Sequence, residues 1–121
     1  MNYDKRIEEY LEEQIKCISS FNINHKQTIQ KIFTTIQLAR DTSKTIFIMG
    51  NGGSASTASH FATDLLKTSI VKNRDRFKAV SLSDNIPVML AWANDTSYEN
   101  IFVGQLENFL QSNDVVIAIS G

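Results

Sequence analysis

A short apolar run in this chain leads directly into three clustered glycines and then into a helix, and few folds accommodate that order. The run at residues 45–49 (TIFIM) is followed by Gly50, Gly52 and Gly53, and helical periodicity begins at Ser54. Glycine lets the backbone turn tightly and approach a ligand closely, and a helix start presents unpaired N–H groups with a partial positive charge. The segment therefore predicts a binding loop for an anion, typically a phosphate.

Two further apolar runs, at residues 77–82 and 114–119, alternate with helical stretches at 54–68, 87–93 and 98–110. Continuous apolar runs are typical of parallel strands that are covered on both faces. The order strand, helix, strand, helix, strand predicts an open α/β sheet with right-handed crossovers. The last strand has the composition of an interior strand but no helix after it. We therefore expect a sheet that is incomplete at its C-terminal side.

Residues 1–40 show helical periodicity instead. One apolar face carries Ile7, Leu11, Ile15 and Ile18, and a second carries Ile29, Ile32, Phe33 and Ile36. These patterns predict two amphipathic helices before an α/β core at 45–121, together forming one partial domain over 1–121. The apolar faces can cover the sheet of one subunit or form a helical interface between subunits.

Composition narrows the possible partners and the compartment. The 121 residues carry 12 basic and 13 acidic side chains, so there is no positive field to hold nucleic acid or an anionic membrane surface. No apolar run approaches the roughly 20 residues of a membrane span. The single cysteine, Cys17, cannot form an internal disulfide, and the N-terminal residues are polar and acidic. We expect a cytoplasmic protein that binds neither nucleic acid nor membrane.

A dinucleotide-binding domain is one alternative for the glycine segment. Residues 50–55 (GNGGSA) match the G-x-G-x-x-A form of the dinucleotide fingerprint. That fingerprint also requires an acidic residue about 20 positions on, to hold the ribose hydroxyls. Here the second predicted strand ends at Ser83 and Asp84, about 30 positions on, and this spacing counts against a dinucleotide.

Two polar pairs outside the loop have both functional and structural interpretations. His60 and Asp64 lie four positions apart on one helix face, where they can ligate a metal, pair a carboxylate base with an imidazole, or simply hydrogen-bond each other. Asn94 and Asp95 can bind a ligand or cap a turn. The larger aromatic side chains are predicted to lie in the core: Trp92, Phe102 and Phe109.

Three blocks of sequence together resemble the sugar isomerase (SIS) domain family, and within it the phosphoheptose isomerases and their close relatives. The blocks are FIMGNGGSASTASHFATDLLK, VSLSDNIPVMLAWANDTSYENIFVGQL and DVVIAISG. The resemblance implies an α/β sandwich around a five-stranded parallel sheet, and a homotetramer with the N-terminal helices packed between subunits. It also implies an aldose–ketose isomerase that converts sedoheptulose 7-phosphate to D-glycero-D-manno-heptose 7-phosphate.

The resemblance also assigns expected roles to individual residues. Substrate contacts are implied for Asn51, Gly52, Gly53, Asn94, Asp95 and Ser120, the last as the first residue of a phosphate-binding loop. His60 matches a zinc ligand. Asp64 matches a glutamate that contacts metal and substrate and serves as an acid or base, although aspartate is one methylene shorter. Gly121 departs from the family pattern, which has a hydroxyl residue there.

The family's reaction requires groups that these residues do not supply. A glutamine and a histidine that complete the metal site match no position here, so the 121 residues alone are expected to be inactive. Aspartate in place of glutamate at Asp64 keeps open a second hypothesis, in which the domain is a non-catalytic regulator that binds other proteins. A dinucleotide-binding domain is the third hypothesis.

Overall fold

The structure is a computed structural model that describes residues 3–121 and all of their side chains except that of Asn24. Residues 1 and 2 of the predicted helical segment lie outside the described part. The chain divides into two compact units, Met1–Thr34 and Thr35–Gly121.

The first unit contains helix α1 (Tyr3–Ser19) and most of helix α2 (Ile23–Asp41). Asn22 and His25 form a reciprocal cap at the start of α2. The His25 N–H donates to Asn22 Oδ1, and the Asn22 N–H donates to His25 Nδ1. Helix α1 has no buried residue. Ile36 is half-buried and packs against the core cluster. The other apolar side chains that define the predicted faces are exposed: Ile7, Leu11, Ile15, Ile18, Ile29, Ile32 and Phe33.

The second unit is built on a parallel sheet of three strands in the order β2-β1-β3. The strands are β1 (Thr45–Gly50), β2 (Lys78–Ser81) and β3 (Val115–Ile119). In the central strand, Phe47 pairs with Val80 on one side and Val116 on the other. The expected α/β architecture with an open sheet is confirmed.

The core lies around the central strand, as a continuous apolar run predicts. Ile46, Phe47 and Ile48 are all buried, so side chains on both faces of β1 are covered. Ala58 and Ala62 belong to the same core cluster as Ile46 and Ile48. Both alanines lie on helix α3 (Gly53–Thr63), and their small side chains let that helix approach the sheet closely.

Helix α3 does not continue regularly to the end of its predicted range. Asp64–Thr68 forms one π-helical turn instead, and such turns are frequent at functional positions. The later helices are α4 (Ile86–Asp95), which begins at the cap Asn85, and α5 (Asn100–Phe109).

The predicted aromatic core is only partly correct. Trp92 and Phe102 are half-buried, whereas Phe109, in the last turn of α5, is 59% exposed. Within the described residues, no helix combines the length and apolar character that a membrane crossing requires.

Candidate functional site

The glycine segment forms a tight connection between β1 and α3. Strand β1 ends at Gly50, helix α3 begins at Gly53, and only Asn51 and Gly52 lie between them. Gly52 has φ +56° and ψ −123°, a conformation that side chains other than hydrogen rarely permit. A Cβ on Gly50 would lie 2.7 Å from the Ser54 carbonyl oxygen. Both glycines are therefore required by the turn itself.

The backbone amides of this loop fall into two groups. The N–H groups of Ser54 and Ala55 donate to the carbonyls of Asn51 and Gly52, both at 3.0 Å. In the part of the chain that the structure describes, the N–H groups of Gly52 and Gly53 have no protein acceptor, whereas the Asn51 N–H lies on the β3 side of β1, where Gly50 is in register with Ile119. The two glycine donors at the start of α3 are free for an anion.

A cavity of about 330 Å³ lies beside the loop, at the carboxyl ends of β1 and β3. Its polar lining includes Asn51, Ser54 and Ser120, and Phe102 and Ile119 are among its apolar lining residues. In the order β2-β1-β3, β2 lies on one side of β1 and β3 lies on the other, so the direction in which strands are added reverses at β1. In open α/β sheets, ligands bind at the carboxyl ends of the strands where the order reverses in this way.

The structure therefore brings Asn51 and Ser120 to one cavity, with Gly52 and Gly53 in the adjoining loop. Phe102, predicted to be a core residue, lines this cavity instead and is half-buried. The sequence offers no signal for that difference, because a half-buried aromatic on an amphipathic helix has the same periodicity as a core aromatic.

His60 and Asp64 form a contact on the surface of α3. His60 Nε2 lies 3.3 Å from Asp64 Oδ2, and Thr68 Oγ1 donates to Asp64 Oδ1 at 2.9 Å. The two side chains are 78% and 46% exposed. They are not among the residues that line the cavity beside the glycine loop.

An imidazole nitrogen and a carboxylate oxygen suit zinc, so His60 and Asp64 fit as two of its ligands. Zinc sites normally have three or four protein ligands. Among the described residues, no group of three or more His, Cys, Asp and Glu side chains could hold a metal ion. A complete zinc site would therefore need ligands beyond this pair.

Asn94 and Asp95 lie at the end of α4, where Asn94 Nδ2 donates to Asp95 Oδ1 at 2.8 Å. Both side chains are exposed, and neither residue lines the cavity. The pair thus occupies a helix end, and the cavity is formed by other residues.

Sequence reasoning missed one residue that contacts the loop. Ser83, just after β2, is buried and hydrogen-bonds both backbone groups of Gly50. From the sequence, Ser83 is notable only as the end of the second predicted strand, because Ser-Asp is a common turn dipeptide.

Comparisons with known proteins agree on one family, although no family model matches the chain. The chain is 31% identical over 120 residues to a phosphoheptose isomerase of Thermodesulfovibrio yellowstonii, a match that covers 99% of this chain and 59% of that protein. It is 44% identical over 71 residues to the lincomycin biosynthesis protein LmbN of Streptomyces lincolnensis, covering 59% of this chain and 26% of that protein.

A solved structure agrees in fold as well. The phosphoheptose isomerase of Neisseria gonorrhoeae superposes with a TM-score of 0.72 at 26% identity, covering 98% of this chain and 61% of that one. The chain thus spans about three fifths of the length of the isomerases that it matches. By sequence and by fold, this chain is similar to phosphoheptose isomerases over nearly its whole length.

Proposed function

We propose that this chain provides the phosphosugar-binding part of an aldose–ketose isomerase that converts sedoheptulose 7-phosphate to D-glycero-D-manno-heptose 7-phosphate. The observation that carries the proposal is the cavity at the carboxyl ends of β1 and β3, bordered by a loop in which the amides of Gly52 and Gly53 are unpaired. The names of the relatives, which are phosphoheptose isomerases, support the choice of sugar.

The phosphate is the part of the substrate that these residues are best suited to bind. A phosphate carries close to two negative charges at neutral pH, and the N–H groups at the start of α3 present partial positive charge to it. Ser120 also lines the cavity, and its hydroxyl adds a hydrogen-bond donor for a phosphate oxygen. No lysine or arginine lines the cavity, so the main-chain amides would provide most of the attraction.

Isomerisation moves the carbonyl from C2 of the ketose to C1 of the aldose. A base removes a proton from C1, the resulting enediolate carries the negative charge on its oxygens, and a proton is added to C2; O2 gains a proton and the O1 hydroxyl loses one, so that the carbonyl moves to C1. Asp64 is the carboxylate that we assign to proton transfer. Thr68 Oγ1 donates to its Oδ1, and His60 Nε2 contacts its Oδ2. We assign Asn51, Asn94 and Asp95 to the hydroxyls of the sugar.

His60 and Asp64 are also the residues that we expect to hold zinc. When bound, zinc would act as a Lewis acid on the substrate's oxygens. Because these two side chains are only part of a ligand set, the described residues alone are expected to bind a sugar phosphate without turning it over.

We further propose that the protein is a homotetramer in the cytoplasm. The exposed apolar face of α1 supports association, since four large aliphatic side chains there are more than half exposed: Ile7, Leu11, Ile15 and Ile18. An exposed, unpaired Cys17 is compatible with a reducing compartment.

Two measurements test the function. Isothermal titration of the 121-residue chain with sedoheptulose 7-phosphate should show saturable binding, with no conversion to the aldose by NMR of the sugar. The complete protein should convert the sugar, and Asp64→Asn should abolish conversion while binding is retained. Binding without conversion by the complete protein would support the non-catalytic regulator instead.

A further inference from the structure

The Ser83 hydroxyl contacts Gly50, the residue before the glycine loop, both as a hydrogen-bond donor and as an acceptor. The Ser83 hydroxyl donates to the Gly50 carbonyl oxygen at 2.8 Å, and Ser83 Oγ accepts the Gly50 N–H at 3.3 Å. Ser83 is 9% exposed, so both bonds are shielded from water. Because the hydroxyl's single proton is committed to Gly50, this side chain is not free to exchange a proton with a substrate.

The contact replaces backbone pairing that the sheet lacks at this point. The register between β1 and β2 ends at Ile48 and Ser81, and the Leu82 N–H makes one further bond to the Ile48 carbonyl. Gly50 lies beyond that point, where its only neighbouring strand is β3, through Ile119. Without the Ser83 hydroxyl, the β2 side of Gly50 would have an unpaired N–H and an unpaired carbonyl in a buried place.

Residues 81–84, which include Ser83, also contact α3, the helix that follows the loop. Ser59, on α3, lies 3.3 Å from Ser81 by their Oγ atoms, and it also donates to the Asp84 carboxylate. The Ser83 N–H in turn donates to Ser81 Oγ at 3.3 Å. Residues 81–84 thus hold Gly50 at one end of the loop and α3 at the other, and so fix the separation of the two ends.

We propose that Ser83 is a positioning residue for phosphosugar binding, which sets the geometry of the Gly52 and Gly53 amides through Gly50. The inference rests on the proposed function, because it concerns the same loop. Donors that are already in position bind an anion more tightly, because binding then costs less conformational entropy.

The test compares Ser83→Thr with Ser83→Val, two variants of nearly the same shape that differ in the hydroxyl. Sedoheptulose 7-phosphate affinity should fall about tenfold in Ser83→Val, as expected for the loss of one buried hydrogen-bonding group, and recover to within about threefold of the wild type in Ser83→Thr. Ser83→Ala gives the same comparison with the wild type if the larger side chains prevent folding.

A control separates positioning from general stability. Ile46 is fully buried in the core cluster, four residues before Gly50 in β1, and it pairs with Ala79 rather than with residues 81–84. Ile46→Val should lower the free energy of unfolding while affinity stays within about twofold of the wild type. Hydrogen exchange of the Gly50 amide should accelerate in Ser83→Val and Ser83→Ala but not in Ile46→Val, and this readout needs no ligand.

The two possible failures are distinguishable. A wild-type chain that binds no sugar phosphate would overturn the proposed function and this inference with it. A wild-type chain that binds, with Ser83→Val and Ser83→Ala equally tight, would overturn the inference alone. Loss of affinity in Ile46→Val as large as that in the Ser83 variants would also overturn it, because the effect would then be one of stability.

Discussion

Trp92 occupies the space that a side chain at Gly104 would need. A Cβ built on Gly104 would lie 2.2 Å from Trp92 Cε2 and 2.5 Å from Cζ2. The indole of α4 therefore packs directly on the backbone of α5, and this contact sets how closely the two helices approach. Gln105, the next residue of α5, joins the same helix to the Leu82 carbonyl at the end of β2.

Gly104→Ala should destabilise the protein by about 1 to 3 kcal/mol, because the added methyl forces the indole or the helix to move. Chemical denaturation of the 121-residue chain measures the change. Val103→Ala is the matched control in the same helix. Its side chain is 45% exposed, and its effect should stay near 0.5 kcal/mol or below. Equal stability of Gly104→Ala and the wild type would show that the close contact is absent in solution.

Gly52→Ala should weaken phosphosugar binding although the added methyl has open space around it. The cost arises from the backbone, since φ +56° with ψ −123° strains an alanine by about 1 to 3 kcal/mol, and the loop would relax to another conformation. Isothermal titration with sedoheptulose 7-phosphate should show affinity lowered by about tenfold or more. Leu90→Ala, at an exposed position of α4, should bind like the wild type. Unchanged affinity in Gly52→Ala would mean that the loop does not hold the ligand.

Zinc should bind the 121-residue chain weakly, through His60 and Asp64. Two ligands on one helix give low affinity, and His60→Ala removes one of them. NMR of the two histidine rings during zinc titration distinguishes His60 from His25, which lies in the cap of α2. His25→Ala should leave the zinc response unchanged. Persistence of the response in His60→Ala would contradict the assignment.

The apolar face of α1 should be buried when copies of the chain associate. Ile15→Lys places a charge in that face and should lower the mass measured by sedimentation equilibrium, since burying an unpaired charge is costly. Glu13→Lys also introduces a lysine into α1, but outside the apolar face. This variant should leave the mass unchanged. A wild-type protein that sediments as a monomer would remove the homotetramer proposal.

The sequence was most informative where one physical requirement dominates. A central parallel strand must be apolar on both faces, so the sequence predicts a strand at residues 45–49. The observed strand is one residue longer and ends at Gly50. The loop after it was identifiable because three glycines after a strand have few structural explanations. The cavity beside it follows from the order β2-β1-β3.

The π-helical turn at Asp64–Thr68 and the role of Ser83 could not be predicted in the same way. A π turn leaves the apolar periodicity of residues 54–68 nearly unchanged, so the sequence predicts an ordinary helix there. Ser83 acts through the backbone of a residue 33 positions away, and no local pattern encodes such a contact. Phe109 was placed in the core because aromatic residues usually are, but it lies at the exposed end of α5.

The most direct test of the account follows the backbone amides of Gly52 and Gly53 by ¹⁵N NMR while ligand is added. Sedoheptulose 7-phosphate should shift both resonances to saturation, inorganic phosphate should compete, and sedoheptulose without phosphate should have a much smaller effect. NAD should not displace the sugar phosphate. If the two amides do not respond to the sugar phosphate, or respond equally to the sugar that lacks phosphate, the loop is not a phosphate site and the central claim is wrong.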